Sequence, residues 1–323
     1  MNTYGNKVRV TLFGQSHAPA TGAALEGLPV GMKVDENALQ AFLDTRRPSG
    51  EWSTGRREAD RPQVLCGIRN GVLCGDTVAA VFENSDARPE DYRDLPLRPG
   101  HADLAARLRY GKALDLSGGG SFSGRMTLPL CWAGGLCLQY LETRGIRVES
   151  RVCSVGGETD PKKFEQIMAR AREEGDSVGG EIFCEITGVP GGLGENLFGG
   201  AEARLSAMLF SIPAVKGVEF GDTEDFGSRN NDAIVLRDGM ITCLTNHAGG
   251  ILGGITTGMP VTFRVRMKPA PSIALEQRTV DPERMEETRL RLQGRHDACI
   301  LPRAVPAVTA AAALVIADLE RGG

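Results

Sequence analysis

The stretch AVTAAAALVIADLE, residues 307–320, is apolar on every side until its last few positions and reads as a buried terminal helix. A second segment, LPLCWAGGLCLQYLETRG (128–145), is also helical and stops at Gly145, a residue that readily takes the left-handed C-terminal cap. Strands and helices alternate around them. VRVTLFG (8–14) and GAALEGLPVG (22–31) read as neighbouring strands, and Asp35 caps ENALQAFLDTR, whose apolar positions 38, 39, 42 and 43 share one helical face. QVLCGIRNGVLCGDTVAAVFEN (63–84) gives short strands with glycine turns, and DPKKFEQIMARAREEGD (160–176) an amphipathic helix with Pro161 in its first turn. GGEIFCEITGV (179–189) is a strand and AEARLSAMLFSI (201–212) a helix. DAIVLRDGMITCLT (232–245) is a hairpin turning at Arg237, Asp238 and Gly239, and VTFRVRMKP (261–269) an alternating strand. Strand, strand, helix recurs loosely in each half, with no low-complexity linker between them. One α/β unit spanning 1–323, with a hint of an internal repeat, is expected.

Composition narrows the function classes. The chain has 323 residues, 41% hydrophobic and 24% charged, which suits a well-packed core. Its net charge of −4 argues against nucleic acid as the main partner, since such binding needs a basic face. No basic start precedes an apolar run of signal-peptide length, and no window is expected to span a membrane, so a cytoplasmic protein is the default. Eight cysteines lack C-x-x-C spacing, so neither zinc nor a redox pair is suggested; buried reduced thiols fit best. A polar, arginine-rich loop, TRRPSGEWSTGRREAD (45–60), is long enough to be functional or disordered.

LSGGGSFSGR (116–125) has the glycines and arginine that an anion needs, but neither the lysine of a Walker loop nor the G-x-G-x-x-G of a dinucleotide loop. Four histidines, His17, His101, His247 and His296, all lie in glycine-marked loops, which favours a site over packing. Metal is disfavoured, because no two histidines have zinc-helix spacing. Asp103 and Asp297 stand close enough to His101 and His296 to orient a ring or relay a proton. A Ser16, His17, Asp297 triad can be drawn, but G-x-S-x-G is missing. Arg46, Arg47, Arg56, Arg57, Arg125, Arg295 and Arg303 would together suit a substrate carrying carboxylates and phosphate.

In order along the chain stand GQSH, RRP, STGRREAD, ENSDARPEDY, RPGHAD with a following YG, GGG and DSVGG. After them come GVPGGLGE, IPAVKGVEFG, NHAGGILGGITTGMPV, KPAPSI and GRHDACILPRAVP. This ordered set resembles the chorismate synthase family over nearly the whole chain. The resemblance implies 1,4-trans elimination of phosphate from 5-enolpyruvylshikimate 3-phosphate, with reduced FMN required and NADPH entering only as its reductant. It implies a β-α-β sandwich with helices outside and a homotetramer. His17 would be the acid near the departing phosphate and His101 the partner of the flavin's pyrimidine edge, with Ser16 and Asp297 as a relay. Flavin contacts would come from Ser123, Pro213, Ala214, Gly253, Lys268, Ser272 and Arg295, and substrate contacts from Arg46, Arg47, Arg125 and Arg303. The chain departs from the family pattern at Gln15, Ala18, Thr45, Trp52, Ser117, Ser121, Phe122, Gly124 and Ala298, and is trimmed around 153–160 and 222–228. Two rival readings remain: a paralogue that binds reduced FMN but takes another anionic substrate, and a non-catalytic scaffold.

Overall fold

Each half of the chain contributes one large antiparallel sheet and one long helix. A computed structural model describes residues 2–47, 59–85, 95–292 and 297–323. In the first half β1 (Thr3–Tyr4), β2 (Arg9–Gly14), β3 (Ala20–Glu26), β4 (Gln63–Cys66) and β5 (Thr77–Glu83) pair in the order β1-β2-β3-β5-β4. In the second half β6 (Arg147–Val155), β7 (Gly180–Thr187), β8 (Val215–Phe220) and β9 (Val261–Met267) pair in the order β8-β9-β7-β6. The two-residue period sets which face is buried: Val78, Ala80 and Phe82 of β5, and Ile182, Cys184 and Ile186 of β7, all point inward. Register follows, with Leu12 opposite Ala23, Ala23 opposite Ala80, and Ile186 opposite both Val148 and Val261.

The helices of two turns or more among the described residues are α1 (Glu36–Asp44), α2 (Asp103–Tyr110), α3 (Thr127–Thr143), α4 (Pro161–Glu173), α5 (Ala201–Leu209) and α6 (Leu301–Glu320). Asp35 caps α1 as expected, its carboxylate accepting from the Ala38 amide at 2.9 Å. Asp160 caps α4, with Pro161 in the first turn. The mixed α/β class stands, but the placement of helices outside the sandwich does not. The long helices α3 and α6 lie between the sheets, α3 against the first and α6 against the second, packed on each other. Their composition is the reason. α6 is buried without a break from Pro306 to Leu319, and a helix with no polar side has no stable place on a surface. Amphipathic α4 lies against β6, burying Phe164, Met168 and Ala171 and leaving its charged face in water.

α6 is 20 residues long with a mean hydropathy of 1.4, enough by length and composition to cross a bilayer, contrary to the expectation that no window would be. Here the sheets and α3 take the place of lipid. α3 and α6 run parallel: Arg303, near the start of α6, donates to Arg46, which donates to Thr127 at the start of α3. At the other end Tyr140 and Arg144 both donate to Glu320. A Cβ on Gly134 would fall 2.4 Å from that of Ala310, so the helices cross nearly backbone to backbone, and only glycine allows it.

The C-terminal end of α6 is tied to the start of the chain. Asp318, fully buried, accepts from the amides of Asn6, Lys7 and Val8 at 2.7–2.9 Å and forms an ion pair with Arg204 of α5. Only half the cysteines follow the buried-thiol expectation. Cys131, Cys137, Cys184 and Cys299 are buried, and burial pushes the Cys131 and Cys184 thiols up to about 12; Cys66 and Cys74, on and near a sheet edge, are exposed.

Candidate active site

β2 ends at Gly14, whose φ of 95° and 2.4 Å approach of a would-be Cβ to the Ala20 carbonyl turn the chain sharply into β3. The turn between these strands carries Ser16 and His17. Ser16 is buried and its amide donates to the Gly120 carbonyl at 3.1 Å. Asn84, directly after β5, closes the turn. Its amide nitrogen donates to the Gln15 and Ala18 carbonyls at 3.0 and 2.7 Å, and its backbone N–H donates to Pro19 at 3.0 Å.

The glycine loop lies against this turn. Gly118, Gly119 and Gly120 all have positive φ, and a Cβ on Gly118 would sit 2.0 Å from His17 Cε1. The glycines therefore let the backbone pass flat against the imidazole, a demand that no side-chain-bearing residue meets. Asp115, at the loop's start, is held below the usual carboxylate range, first by the Ser117 backbone N–H and side chain and in part by the charge of His17.

Three of the expected arginines converge at the N-terminal ends of α3 and α6. Arg125 donates to Asn84 Oδ1 at 3.0 Å through Nε and to Asp60 at 2.5 Å through Nη1. Arg46, 4% exposed, reaches the other Asp60 oxygen at 3.4 Å and Thr127 Oγ1 at 2.9 Å. Arg303 donates to the Arg46 carbonyl at 3.3 Å and to Asp297 at 2.7 Å. Burial lowers the Arg46 pKa, and the nearby charges of Arg303 and Arg125 add to that against the pull of Cys131 and Asp60. Arg46 Nε is buried with no hydrogen-bond partner. Two helix N-termini add positive potential at the same place, so the cluster is suited to an anion. Arg47 stays on the rim, exposed, with Asp44 at 3.0 Å and the Ala59 carbonyl at 2.6 Å as its partners. Among the described residues, Asp297 of the drawn triad has a side-chain partner in Arg303, near the start of α6.

A second group surrounds His101. Its Nδ1 donates to the Pro99 carbonyl at 3.3 Å, which leaves Nε2 to accept from the Ser272 hydroxyl at 2.9 Å. Burial first, then the Arg98 charge, lowers its pKa to about 4, so the ring is neutral at pH 7. Asp103 does not orient this ring as its spacing suggested. It takes a bidentate pair with buried Arg98, both bonds 2.7 Å, plus the Arg98 amide at 3.0 Å. Burial works to raise the Asp103 pKa, and the Arg98 bonds outweigh it. Arg98 also donates to the Leu116 carbonyl at 3.4 Å, which ties the His101 loop to the glycine loop.

Lys268 donates to the Gly100 carbonyl, and its amide to the Ala214 carbonyl at 3.0 Å, which brings Ala214 and Pro213 beside the His101 group. Burial and then the charge of Lys216 lower the Lys268 pKa; among the described residues neither lysine has an acidic partner. Ser123 caps the turn into α3, its Oγ accepting from the Arg125 amide at 3.3 Å. Gly253 lies elsewhere, on the turn of the Ile251–Thr256 hairpin, beside Gly254, which packs on Glu195 and Gly200. Arg295, His296, Trp52, Arg56 and Arg57 lie outside the described residues. Sequence reasoning passed over Asp60, Asn84 and Arg98, each inside a quoted motif; an acid or amide among so many arginines was the available signal.

Fold and site together describe an α/β protein in which two histidine loops, joined through Arg98 and the glycine loop, stand beside a cluster of arginines. The family model described as chorismate synthase matches residues 8–320, and this chain belongs to the chorismate synthase family. It is 40% identical to a chorismate synthase of Lancefieldella parvula over 98% of this chain and 95% of that one. It is 43% identical to one of Thermococcus gammatolerans (97% and 96% covered) and 41% identical to one of Archaeoglobus fulgidus (98% and 96%). A crystal structure of a chorismate synthase superposes with a TM-score of 0.76 over 98% of this chain and 92% of that one, at 24% identity, and shows the same fold.

Proposed function

We propose that this chain converts 5-enolpyruvylshikimate 3-phosphate to chorismate and phosphate, with reduced FMN as cofactor and NADPH needed only to reduce it. The carrying observation is the Arg46–Asp60–Arg125–Arg303 cluster beside the His17 turn, a cationic site with one buried guanidinium donor unspent. The anionic substrate would supply an acceptor for the buried Arg46 Nε and oxygens that suit planar guanidiniums. His17 would donate a proton to the departing phosphate. In the elimination a C–O bond and a C–H bond break and a ring C=C forms; the phosphate leaves as an anion onto the guanidiniums.

The residues around His101 fit a flavin phosphate and ring, since Lys268 and Lys216 provide an unpaired cationic edge and Ser272 and His101 provide polar contacts. Bound reduced flavin supplies an electron-rich ring that helps an unactivated substrate expel phosphate. His101 would sit against it: an anion within reach favours imidazolium and raises the low pKa seen without ligand. Ser123, Pro213 and Ala214 would line the cofactor side, and Arg295 would complete it; Asp297, positioned by Arg303, and Ser16 would relay the ring proton.

The chain acts as one folding unit, a reading supported by a buried cluster that runs without interruption from Val8 to Leu319. It works as a homotetramer in the cytoplasm. Assembly is supported by the hairpin of Ile234–Arg237 and Met240–Cys243, where Ile234, Leu236, Met240 and Ile241 are 69–80% exposed. The test is anaerobic incubation with 5-enolpyruvylshikimate 3-phosphate and chemically reduced FMN. Chorismate absorbance and stoichiometric phosphate release are expected; absence of both overturns the reading.

A further inference from the structure

We propose that Asn84 is a positioning residue that holds the His17 turn and Arg125 in one fixed geometry; the inference rests on the elimination reading above. Its side chain is fully used. The amide nitrogen donates to the carbonyls of Gln15 and Ala18, which flank Ser16 and His17, and the amide oxygen accepts from Arg125 Nε. Carbonyls only accept and Nε only donates, so the amide has one permitted orientation. Its backbone N–H adds a bond to Pro19, which fixes the side chain's origin to the same turn. Three segments distant in sequence, the turn at 15–19, the end of β5 and the entry to α3, are thereby held to one another by one residue.

The chemical requirement is specific. Two donors and one acceptor must be present in a planar group of this length, and only an amide provides them. Asn84→Asp keeps size and the acceptor toward Arg125, but it turns an oxygen with no proton toward two carbonyls. Asn84→Ala removes every side-chain bond and leaves a gap. If Asn84 merely fills space, the isosteric change is harmless and the alanine change is costly. If it positions His17, the two are comparably damaging.

Both variants should lose roughly 10²-fold in kcat/KM for chorismate formation, mostly in kcat, as expected for a sub-ångström misplacement of a reacting group. In ligand-free protein the His17 Cε1 proton resonance, assigned by its loss in His17→Gln, should move in both variants while the other histidine resonances stay. In the unaltered chain the Asn84 side-chain amide protons should exchange slowly with solvent, a reading that needs no variant to fold. Near-normal kcat in Asn84→Asp, an unmoved His17 resonance, or rapid exchange of those amide protons would each overturn the proposal. If the unaltered chain forms no chorismate, the reaction reading fails, and the resonance and exchange measurements still decide the role of Asn84.

Discussion

The two ends of α6 use buried carboxylates in opposite ways. At the C-terminal end Asp318 accepts three backbone amides and pairs with one arginine, so charge and hydrogen bonds balance and nothing is left for a ligand. At the N-terminal end, about 22 Å away at 1.5 Å per residue, Asp60 and Asp297 face Arg46, Arg125 and Arg303, and Arg46 Nε is buried without a partner. A balanced buried cluster locks a fold. A buried donor left unused, as at Arg46 Nε, is one that an incoming anion would satisfy.

Asp318→Ala should break the balanced end most severely. It strands the Arg204 guanidinium and three amides, for a loss of about 3–5 kcal/mol in urea unfolding, while molecules that remain folded at low temperature keep their kcat. Loss of kcat at unchanged stability would erase the distinction between the ends. Arg125→Ala should do the reverse, lowering kcat/KM roughly 10²- to 10³-fold with a melting temperature close to that of the unaltered chain, because Asp60 retains Arg46. A large fall in melting temperature would place Arg125 among the structural charges.

The smallest effect belongs to the loop between the ends. His101 titrates near 4 in the folded chain against 6.5 when unperturbed, so the unfolded chain binds a proton that the folded one refuses across that interval. Stability should therefore fall as pH drops from about 6.5 to about 4, and the depressed Asp103 should extend the loss further down. Arg98, Asp103 and Lys268 are the charges facing the ring. Thermal melts across this range should be flatter above pH 4 in His101→Gln; an unchanged slope would show that other groups set it.

Much of the fold was legible. Caps such as Asp35 and Asp160, the Asp238-Gly239 turn with both φ positive, and the alternation of β7 and β9 are local signals, and the structure shows each of them. The site was legible in its residue types and less so in its partnerships. Asp103, two positions from His101, was read as that ring's partner, yet a planar guanidinium at Arg98 offers two parallel bonds and takes it. Asp60 and Asn84 sit inside motifs whose local spacing gives neither of them a role. Their partners Arg125, Gln15 and Ala18 lie 41 to 69 positions away, beyond the reach of any spacing rule.

The sequence by itself determined many of the elements and, through ordered motifs, the family, because periodicity, capping and motif order are properties of neighbouring residues. Tertiary structure alone decided that α3 and α6 lie inside the sandwich, that Gly134 must meet Ala310, and that Asp318 finds three amides and an arginine while Arg46 Nε is buried without an acceptor. These depend on which distant side chains share a desolvated volume, where an unpaired donor costs far more than it does in water.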